Sequence, residues 1–351
     1  MNVLEAGLLL AASPGVFLEG FRFPLFVAAV AALVSWGLTP LVRRLAIAKG
    51  AVDDPKQDDR RVHTEPTPRW GGMAIYGGIL VSLLVVLPFA NPTRPFPNYL
   101  IAVLACGLLL VLIGAYDDVR PMKARWQFLY LLVIGVAVQY FYDSFGDSVW
   151  RVQVTGMDYP PFDSDLTWID FGWLAVPITA IYIFVVTKTM DTIDGIDGLA
   201  AGVASIAGVT LSIIATYEGQ PRVALVAAAI AGACVGFLRH NYNPAKIFMG
   251  TGGAQLLGFF LAALSVVGAF KTAAALALFI PILVFGVPIF DAIFVVVRRL
   301  VSRQPVTQAD KRHLHHTLLK KGYSQRQTVW ILYTIAAALS LVLLVLVRAY
   351  G

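Results

Sequence analysis

Charged residues are scarce in this chain: they make up 14% of its 351 residues, whereas hydrophobic residues make up 58%. A soluble domain carries about 25% charged residues, and no hydrophilic stretch here is long enough to form one. The two cysteines, Cys106 and Cys234, lie in apolar runs without metal-ligating neighbours, so they are interpreted as small core residues. The apolar run at residues 8–12 has no basic segment before it, so a cleaved signal peptide is not predicted.

About ten apolar runs are long enough to cross a membrane. A hydrocarbon core about 30 Å thick requires about 20 apolar residues of helix. The runs lie near residues 24–42, 73–90, 98–116, 126–142, 172–187, 198–217, 222–240, 253–269, 272–297 and 327–347. The sequence therefore predicts an all-α, polytopic membrane bundle that forms a single domain over residues 1–351.

Basic residues divide unequally between the loops that join these runs. Of the 27 lysines and arginines, 21 fall in the odd-numbered loops. This bias predicts that the odd loops are cytoplasmic and that both termini lie outside. Basic loops facing an anionic leaflet account for the net charge of +6, so no nucleic-acid partner is predicted.

Five aspartates in the odd loops are the main candidates for chemistry. Asp117 and Asp118 end a long apolar run, and Asp191, Asp194 and Asp197 recur every three residues, which would place them along one side of a helix. Crowded carboxylates at a membrane surface favour a divalent cation, and hard oxygen ligands favour Mg²⁺ or Mn²⁺ over Zn²⁺. Since Mg²⁺ binds few carboxylates together with substrate phosphates, the cluster indicates nucleotide diphosphate chemistry.

Plainer interpretations of these residues remain open. The aspartate pair is compatible with a solvated helix end, and the Asp194-Gly195 stretch with a turn. The histidines near residue 315 are compatible with an interfacial cluster that has no function. Asp291, inside the ninth run, is compatible with pairing to an arginine one or two turns further on.

The odd loops together carry five motifs. They are the stretch at residues 63–72 (His-Thr-Glu-Pro-Thr-Pro-Arg-Trp-Gly-Gly), the pair Asp117-Asp118, the stretch from Asp191 to Gly198, the stretch from Asn241 to Gly250, and the stretch at residues 310–316 that ends in His-Leu-His-His. In this order they resemble the polyprenyl-phosphate N-acetylhexosamine-1-phosphate transferase superfamily. The first and last motifs are similar to those of its UDP-GlcNAc:undecaprenyl-phosphate branch, in glycosyltransferase family 4.

The resemblance implies an enzyme of the bacterial inner membrane with a cytoplasmic active site. It implies Mg²⁺-dependent (or Mn²⁺-dependent) transfer of GlcNAc 1-phosphate from UDP-GlcNAc to polyprenyl phosphate with release of UMP, a first membrane step of cell-envelope polysaccharide synthesis. The alternatives are a phospho-N-acetylmuramoyl-pentapeptide transferase and, from a different class, a membrane transporter; a homodimer is left open. The implied residues are Asp117, Asp118, Asp194 and Asp197 for catalysis, Asp191, Asp194 and Asp197 for metal, and His63, Lys188, Asn243, Lys246, Arg312, His313, His315 and His316 for substrate binding.

Four positions depart from the pattern of the superfamily. Lys188 and Asp191 stand where two asparagines are usual, Thr251 where an acid linked to the metal site is usual, and Gln127 where a lysine is usual. One carboxylate is lost at 251 and one is gained at 191, so we hypothesise that Asp191 takes over the metal role. The alternative is that Asp191 only pairs with Lys188.

The charge bias can be tested at the C-terminus. Because basic loops remain in the cytoplasm, a reporter fused after Gly351 should be active only when that reporter functions outside the cytoplasm. The measurement compares a periplasm-dependent phosphatase fusion with a cytoplasm-dependent fluorescent fusion. Activity of the cytoplasmic reporter alone would contradict the predicted orientation.

Overall fold

The computed structural model describes residues 14–54, 66–145, 148–159, 167–268 and 314–350. Its helices are α1 (Pro14–Ala48), α2 (Gly71–Ala90), α3 (Asn98–Val119), α4 (Ala124–Ala137, extended by the 3-10 turn Val138–Tyr140), α5 (Ala175–Ile193, preceded by the 3-10 turn Gly172–Leu174), α6 (Leu199–Tyr217), α7 (Pro221–Asn241), α8 (Gly250–Val267), α9 (Leu314–Lys320) and α10 (Gln325–Tyr350). Short antiparallel strand pairs join β1 (Val52–Asp53) to β2 (Thr67–Pro68), β3 (Tyr142–Phe145) to β4 (Ser148–Arg151) and β5 (Gly156–Tyr159) to β6 (Thr167–Asp170).

The predicted helical membrane bundle is confirmed. Within the described segments, 8 helices are long and apolar enough to cross a membrane, and they match eight of the predicted runs. The first helix is longer than its run, because helix α1 continues through Pro24 and Pro40 to a length of 35 residues. The fourth run forms the shorter helix α4, and the ninth run, at residues 272–297, lies outside the described residues.

Helix α4 crosses between the same two faces as α3, although it has only 14 residues. Just before α4 begins, the backbone N–H of Met122 donates to Asp117 at the end of α3. Just after the 3-10 turn, Asp143 accepts the N–H of Tyr99 at the start of α3. A 3-10 turn rises about 2.0 Å per residue, against about 1.5 Å in an α-helix, so it lengthens the crossing.

The helices alternate in direction, which sorts their ends onto two faces. We call the face that carries Asp117 and Asp194 the aspartate face; α1, α3, α5 and α7 end on it, and α2, α4, α6, α8 and α10 begin on it. The strands β3 to β6 lie on the opposite face, together with the described start of α1 and the described end of α10.

Helix α8 is the central helix of the described bundle. Of its 18 residues, 89% are buried, which is the largest share among the eight membrane-length helices. Glycines bring its first turns against two neighbours. A Cβ atom on Gly114 of α3 would lie 2.2 Å from the Cα of Gly252, and one on Gly72 of α2 would lie 2.4 Å from the Cα of Gly253. Small residues of this kind let helix backbones approach closely in a membrane, and here they draw α2, α3 and α8 together at the aspartate face.

The glycine contact predicts a strong cost for a single methyl group. Gly114→Ala should destabilise the protein by about 1–3 kcal/mol through overpacking against α8, which has backbone and no flexible side chain at the contact. Gly37→Ala in α1 is a matched control, because a Cβ atom there meets nothing within 4 Å. Thermal unfolding in detergent should show a lower midpoint for Gly114→Ala only, and equal midpoints for the two variants would refute the tight contact.

Candidate active site

Asp118 is held between the end of α3 and the start of α8. Its Oδ1 atom accepts the backbone N–H of Thr251 at 3.1 Å. Its Oδ2 atom lies against Gly250, where a Cβ atom would come within 2.2 Å of it and where φ is +74°. Only glycine satisfies both the space and the left-handed backbone. The side chain is 1% exposed, and Oδ2 is buried with no hydrogen-bond partner in the described part of the chain.

Arg69 ties the first loop to this carboxylate. Its guanidinium lies 2.7 Å from Asp53 Oδ1 and 3.4 Å from Asp118 Oδ1. The backbone around it is fixed, because the N–H of Phe248 donates to Pro68 and the N–H of Gly71 donates to Phe248. The strand pair β1–β2 therefore carries Arg69 and Asp53 to the start of α8.

Asp117 is bonded at both oxygens by the protein itself. Oδ1 accepts the N–H of Met122 at 2.6 Å, and Oδ2 accepts Nε2 of Gln127 at 3.1 Å. The Oε1 atom of Gln127 accepts Nζ of Lys188 at 2.8 Å, and the same ammonium lies 2.5 Å from Asp191 Oδ2. Position 127, where a lysine is usual in the superfamily, thus holds a glutamine that is hydrogen-bonded to Lys188 of α5.

Asp194 is the least neutralised of the five aspartates. It stands at the C-cap of α5, and within the described ranges no hydrogen bond reaches its carboxylate. Burial raises its pKa well above the ordinary value, and the neighbouring charges of Asp191 and Asp118 raise it further against the opposing effect of Arg69. A carboxylate crowded in this way is stabilised by an added cation.

Asp197 fixes the loop between α7 and α8. Its Oδ2 accepts Nδ2 of Asn243 at 2.9 Å and the N–H of Ala245 at 3.0 Å. The next residue, Gly198, has φ +80° and donates its N–H to Asn241 Oδ1 at 3.1 Å. Asn243 also donates to Gln325 at 2.9 Å, which joins α10 to the site.

One expectation about the aspartates is wrong. Asp191, Asp194 and Asp197 do not share one side of a continuous helix, because α5 ends at Ile193 and α6 begins at Leu199. The residues between form a turn, which lets Asp194 and Asp197 face different partners. The interpretation of this stretch as a turn applies from Asp194 onward.

The remaining candidates have different outcomes. Lys188 and Asn243 lie within the cluster, and Lys246 is exposed beside it with its backbone carbonyl accepting Arg43 Nε at 3.0 Å. His63, Arg312 and His313 lie outside the described residues, and His315 and His316 lie on α9 with side chains that are outside them as well.

Sequence reasoning did not select Arg69, Asp53 or the pair Tyr130–Gln255. The hydroxyl of Tyr130 donates to Gln255 Oε1 at 2.8 Å inside the bundle, one turn of α8 below Thr251. A signal for Arg69 was available, because it is the cation directly before the Trp-Gly-Gly that starts α2. Nothing in the sequence marks Tyr130 and Gln255 as partners.

The residues present fit a divalent cation that substrate completes. In the parts of the chain that the structure covers, no three carboxylate, imidazole or thiol side chains converge as a ready metal site. Mg²⁺ needs only one or two protein carboxylates when substrate phosphates supply other ligands. The crowding around Asp194 and the unpartnered Oδ2 of Asp118 are both relieved by such a cation.

Comparison with known proteins places the chain in a family. The sequence profile of glycosyl transferase family 4 matches residues 100–269. A probable undecaprenyl-phosphate N-acetylglucosaminyl 1-phosphate transferase of Bacillus subtilis (strain 168) is 34% identical over 316 residues, which is 89% of this chain and 82% of that protein. The chain belongs to glycosyl transferase family 4.

Two other relatives carry different names. The decaprenyl-phosphate N-acetylglucosaminephosphotransferase of Mycolicibacterium smegmatis is 31% identical over 88% of this chain and 78% of its own length. The phospho-N-acetylmuramoyl-pentapeptide-transferase of Moorella thermoacetica is 29% identical over 91% of this chain and 96% of its own length. The family is metal-dependent in general, which agrees with the chemistry of the aspartate cluster.

Asp194 should make the metal-free protein sensitive to pH. Because its pKa is raised in the folded protein, the folded state keeps a proton that the unfolded chain has already lost. Stability from this group is therefore present at low pH and is lost as the pH rises through the raised pKa. Asp194→Asn cannot ionise, so with a chelator at about pH 8 the variant should unfold at a higher temperature than the wild type.

The difference between the two unfolding midpoints should shrink as the pH falls toward the ordinary pKa of an aspartate, about 4, below which Asp194 is protonated in both the folded and the unfolded state. The measurement is thermal unfolding in detergent with chelator across this range. A variant that is less stable than the wild type at every pH would show that the Asp194 carboxylate is not crowded.

Proposed function

We propose that this chain transfers GlcNAc 1-phosphate from UDP-GlcNAc to a polyprenyl phosphate of the undecaprenyl type and releases UMP. Residues 1–351 would form one transferase domain that carries out a first membrane step of cell-envelope polysaccharide synthesis. The observation that carries the proposal is the meeting of five aspartates, from the end of α3, the end of α5 and the turn after α5, at one membrane face, beside helices that also face lipid. The activities for which the Bacillus and Mycolicibacterium relatives are named support the sugar and the lipid class.

The reaction is proposed as a direct displacement. An oxygen of the polyprenyl phosphate attacks the phosphorus that carries the sugar, a new P–O bond forms, and the bond to UMP breaks with its electrons leaving on UMP. The second pKa of a phosphate is about 6, so little base catalysis is needed near neutral pH. A covalent aspartyl intermediate is the less favoured route, because both oxygens of Asp117 already accept hydrogen bonds from the protein.

Asp191, Asp194 and Asp197 are the proposed metal-binding residues, and Asp194 has the most support because its charge is least compensated. A bound Mg²⁺ or Mn²⁺ supplies Lewis-acid neutralisation of the pyrophosphate. Asp117 and Asp118 are proposed to orient the lipid phosphate, and one of the two to accept its proton where it carries one. Arg69, 3.4 Å from Asp118, offsets the charge of the pair.

Substrate phosphates and sugar are proposed to bind at the cationic and amide groups around the cluster. Among the described side chains, those of Lys188, Asn243 and Lys246 line this side of the site. His63, Arg312, His313, His315 and His316 are proposed for the same task. Imidazole and guanidinium groups donate hydrogen bonds to phosphate oxygens.

The aspartate face is proposed to be cytoplasmic in the bacterial inner membrane. Basic residues gather at this face, among them Arg43, Lys49, Lys123 and Arg239, whereas the opposite face carries Arg94 and a few others. Cytoplasmic loops hold the excess of basic residues in membrane proteins. That side is also where a nucleotide sugar is available.

A second candidate is transfer of phospho-N-acetylmuramoyl-pentapeptide. It is favoured by the Moorella relative, which this chain matches over 96% of that protein's length. The stretch at residues 63–72 and the interrupted histidines distinguish the two, because they resemble the UDP-GlcNAc branch.

A membrane assay with three nucleotide sugars tests the proposal. UMP release with added undecaprenyl phosphate should occur with UDP-GlcNAc, and less with UDP-GalNAc or UDP-MurNAc-pentapeptide. Asp117→Asn, Asp118→Asn, Asp194→Asn and Asp197→Asn should each lower turnover by at least about a hundredfold while the protein is still inserted in membranes. Near-normal turnover in any two of these variants would refute the assigned site, and a preference for the pentapeptide substrate would favour the second candidate.

A further inference from the structure

Four polar side chains from three helices form one hydrogen-bonded series that joins two members of the aspartate cluster. Lys188 of α5 contacts Asp191 Oδ2 at 2.5 Å and donates to Gln127 Oε1 at 2.8 Å. Gln127 of α4 donates through Nε2 to Asp117 Oδ2 of α3 at 3.1 Å. We call the series Asp191–Lys188–Gln127–Asp117 the relay.

The relay has only one consistent direction. An ammonium group only donates hydrogen bonds, a carboxylate only accepts them, and a glutamine amide has one end of each kind. Because Lys188 occupies the oxygen of Gln127, the amide nitrogen must face Asp117. Without that ammonium the oxygen of Gln127 has no charged donor, and the amide is held only by its nitrogen at Asp117.

We propose that Lys188 is a positioning residue that acts on Asp117 through Gln127, in addition to any contact it makes with substrate. The proposal rests on the proposed function, in which Asp117 and Asp118 orient the lipid phosphate. The other oxygen of Asp117 is already fixed by the N–H of Met122 at 2.6 Å. The orientation of Gln127 therefore decides whether the carboxylate is held at both oxygens or at one.

The order of donors and acceptors in the relay is kept when Lys188 and Gln127 are exchanged. With Gln127→Lys and Lys188→Gln combined, the ammonium at position 127 donates to Asp117 and to the amide oxygen at position 188. The amide nitrogen at position 188 then donates to Asp191. Each single substitution weakens the relay: Gln127→Lys puts two ammonium groups in contact, and Lys188→Gln leaves the oxygen of Gln127 without a charged donor, so that only an amide joins it to Asp191.

Steady-state kinetics of UMP release from UDP-GlcNAc test the relay. Each single variant should lose at least about tenfold in kcat, and the double variant should return to within about threefold of the wild type. Lys123→Gln is the matched control, because Lys123 is an exposed lysine at the start of α4 on the same face. A double variant no faster than the slower single variant overturns the proposal, as does a change confined to KM for UDP-GlcNAc.

Thermal unfolding separates this proposal from the proposed function. Each single variant should lower the unfolding midpoint in detergent by about 2 °C or more, and the double variant should recover it. If the wild type releases no UMP from UDP-GlcNAc, the proposed function fails, and the unfolding cycle still decides the relay. If the decreases in unfolding midpoint of the two single variants add up in the double variant, the relay proposal is overturned.

Discussion

The close approach of α3 to α8 is the contact on which the site depends. Gly114 and Gly252 meet with no side chain between them, so the end of α3 reaches the first turn of α8. That approach puts the carboxylate of Asp118 against Gly250 and within 3.1 Å of the N–H of Thr251. The start of a helix carries unpaired N–H groups and a partial positive charge, which stabilise a carboxylate there. A larger residue at either glycine would separate the two elements.

The oxygens of the five aspartates divide into two groups according to what already binds them. Both oxygens of Asp117 accept hydrogen bonds from α4 and its leading loop. One oxygen each of Asp118, Asp191 and Asp197 is held by the start of α8, by Lys188 and by the loop after α7. The carboxylate of Asp194 and the Oδ2 atom of Asp118 have no such partners within the described residues. The held oxygens fix the geometry of the site, and the other oxygens are available to cation and substrate.

The departures from the usual pattern form one connected region. Thr251 donates its backbone N–H to Asp118 Oδ1. Asp191 is paired with Lys188, which the second of the two interpretations predicted. That Asp191 also takes over the metal role of the acid missing at position 251 remains a hypothesis. A positive charge that the resemblance places at position 127 lies instead one hydrogen bond away, at position 188. The net charge of the region is retained although its positions have moved.

The sequence by itself determined the membrane helices, the face that carries the basic residues and the set of aspartates, because hydropathy, charge bias and spacing are properties of the chain. It left the turn at the Asp194-Gly195 stretch open only as an alternative to a helix. Only the tertiary structure showed that Lys188 touches Gln127, 61 residues away, or that Arg69 reaches Asp118, 49 residues away. Such contacts depend on how helices rotate and cross, which is set by the packing of the whole bundle, as at Gly114 and Gly252, and not by the period of any one segment.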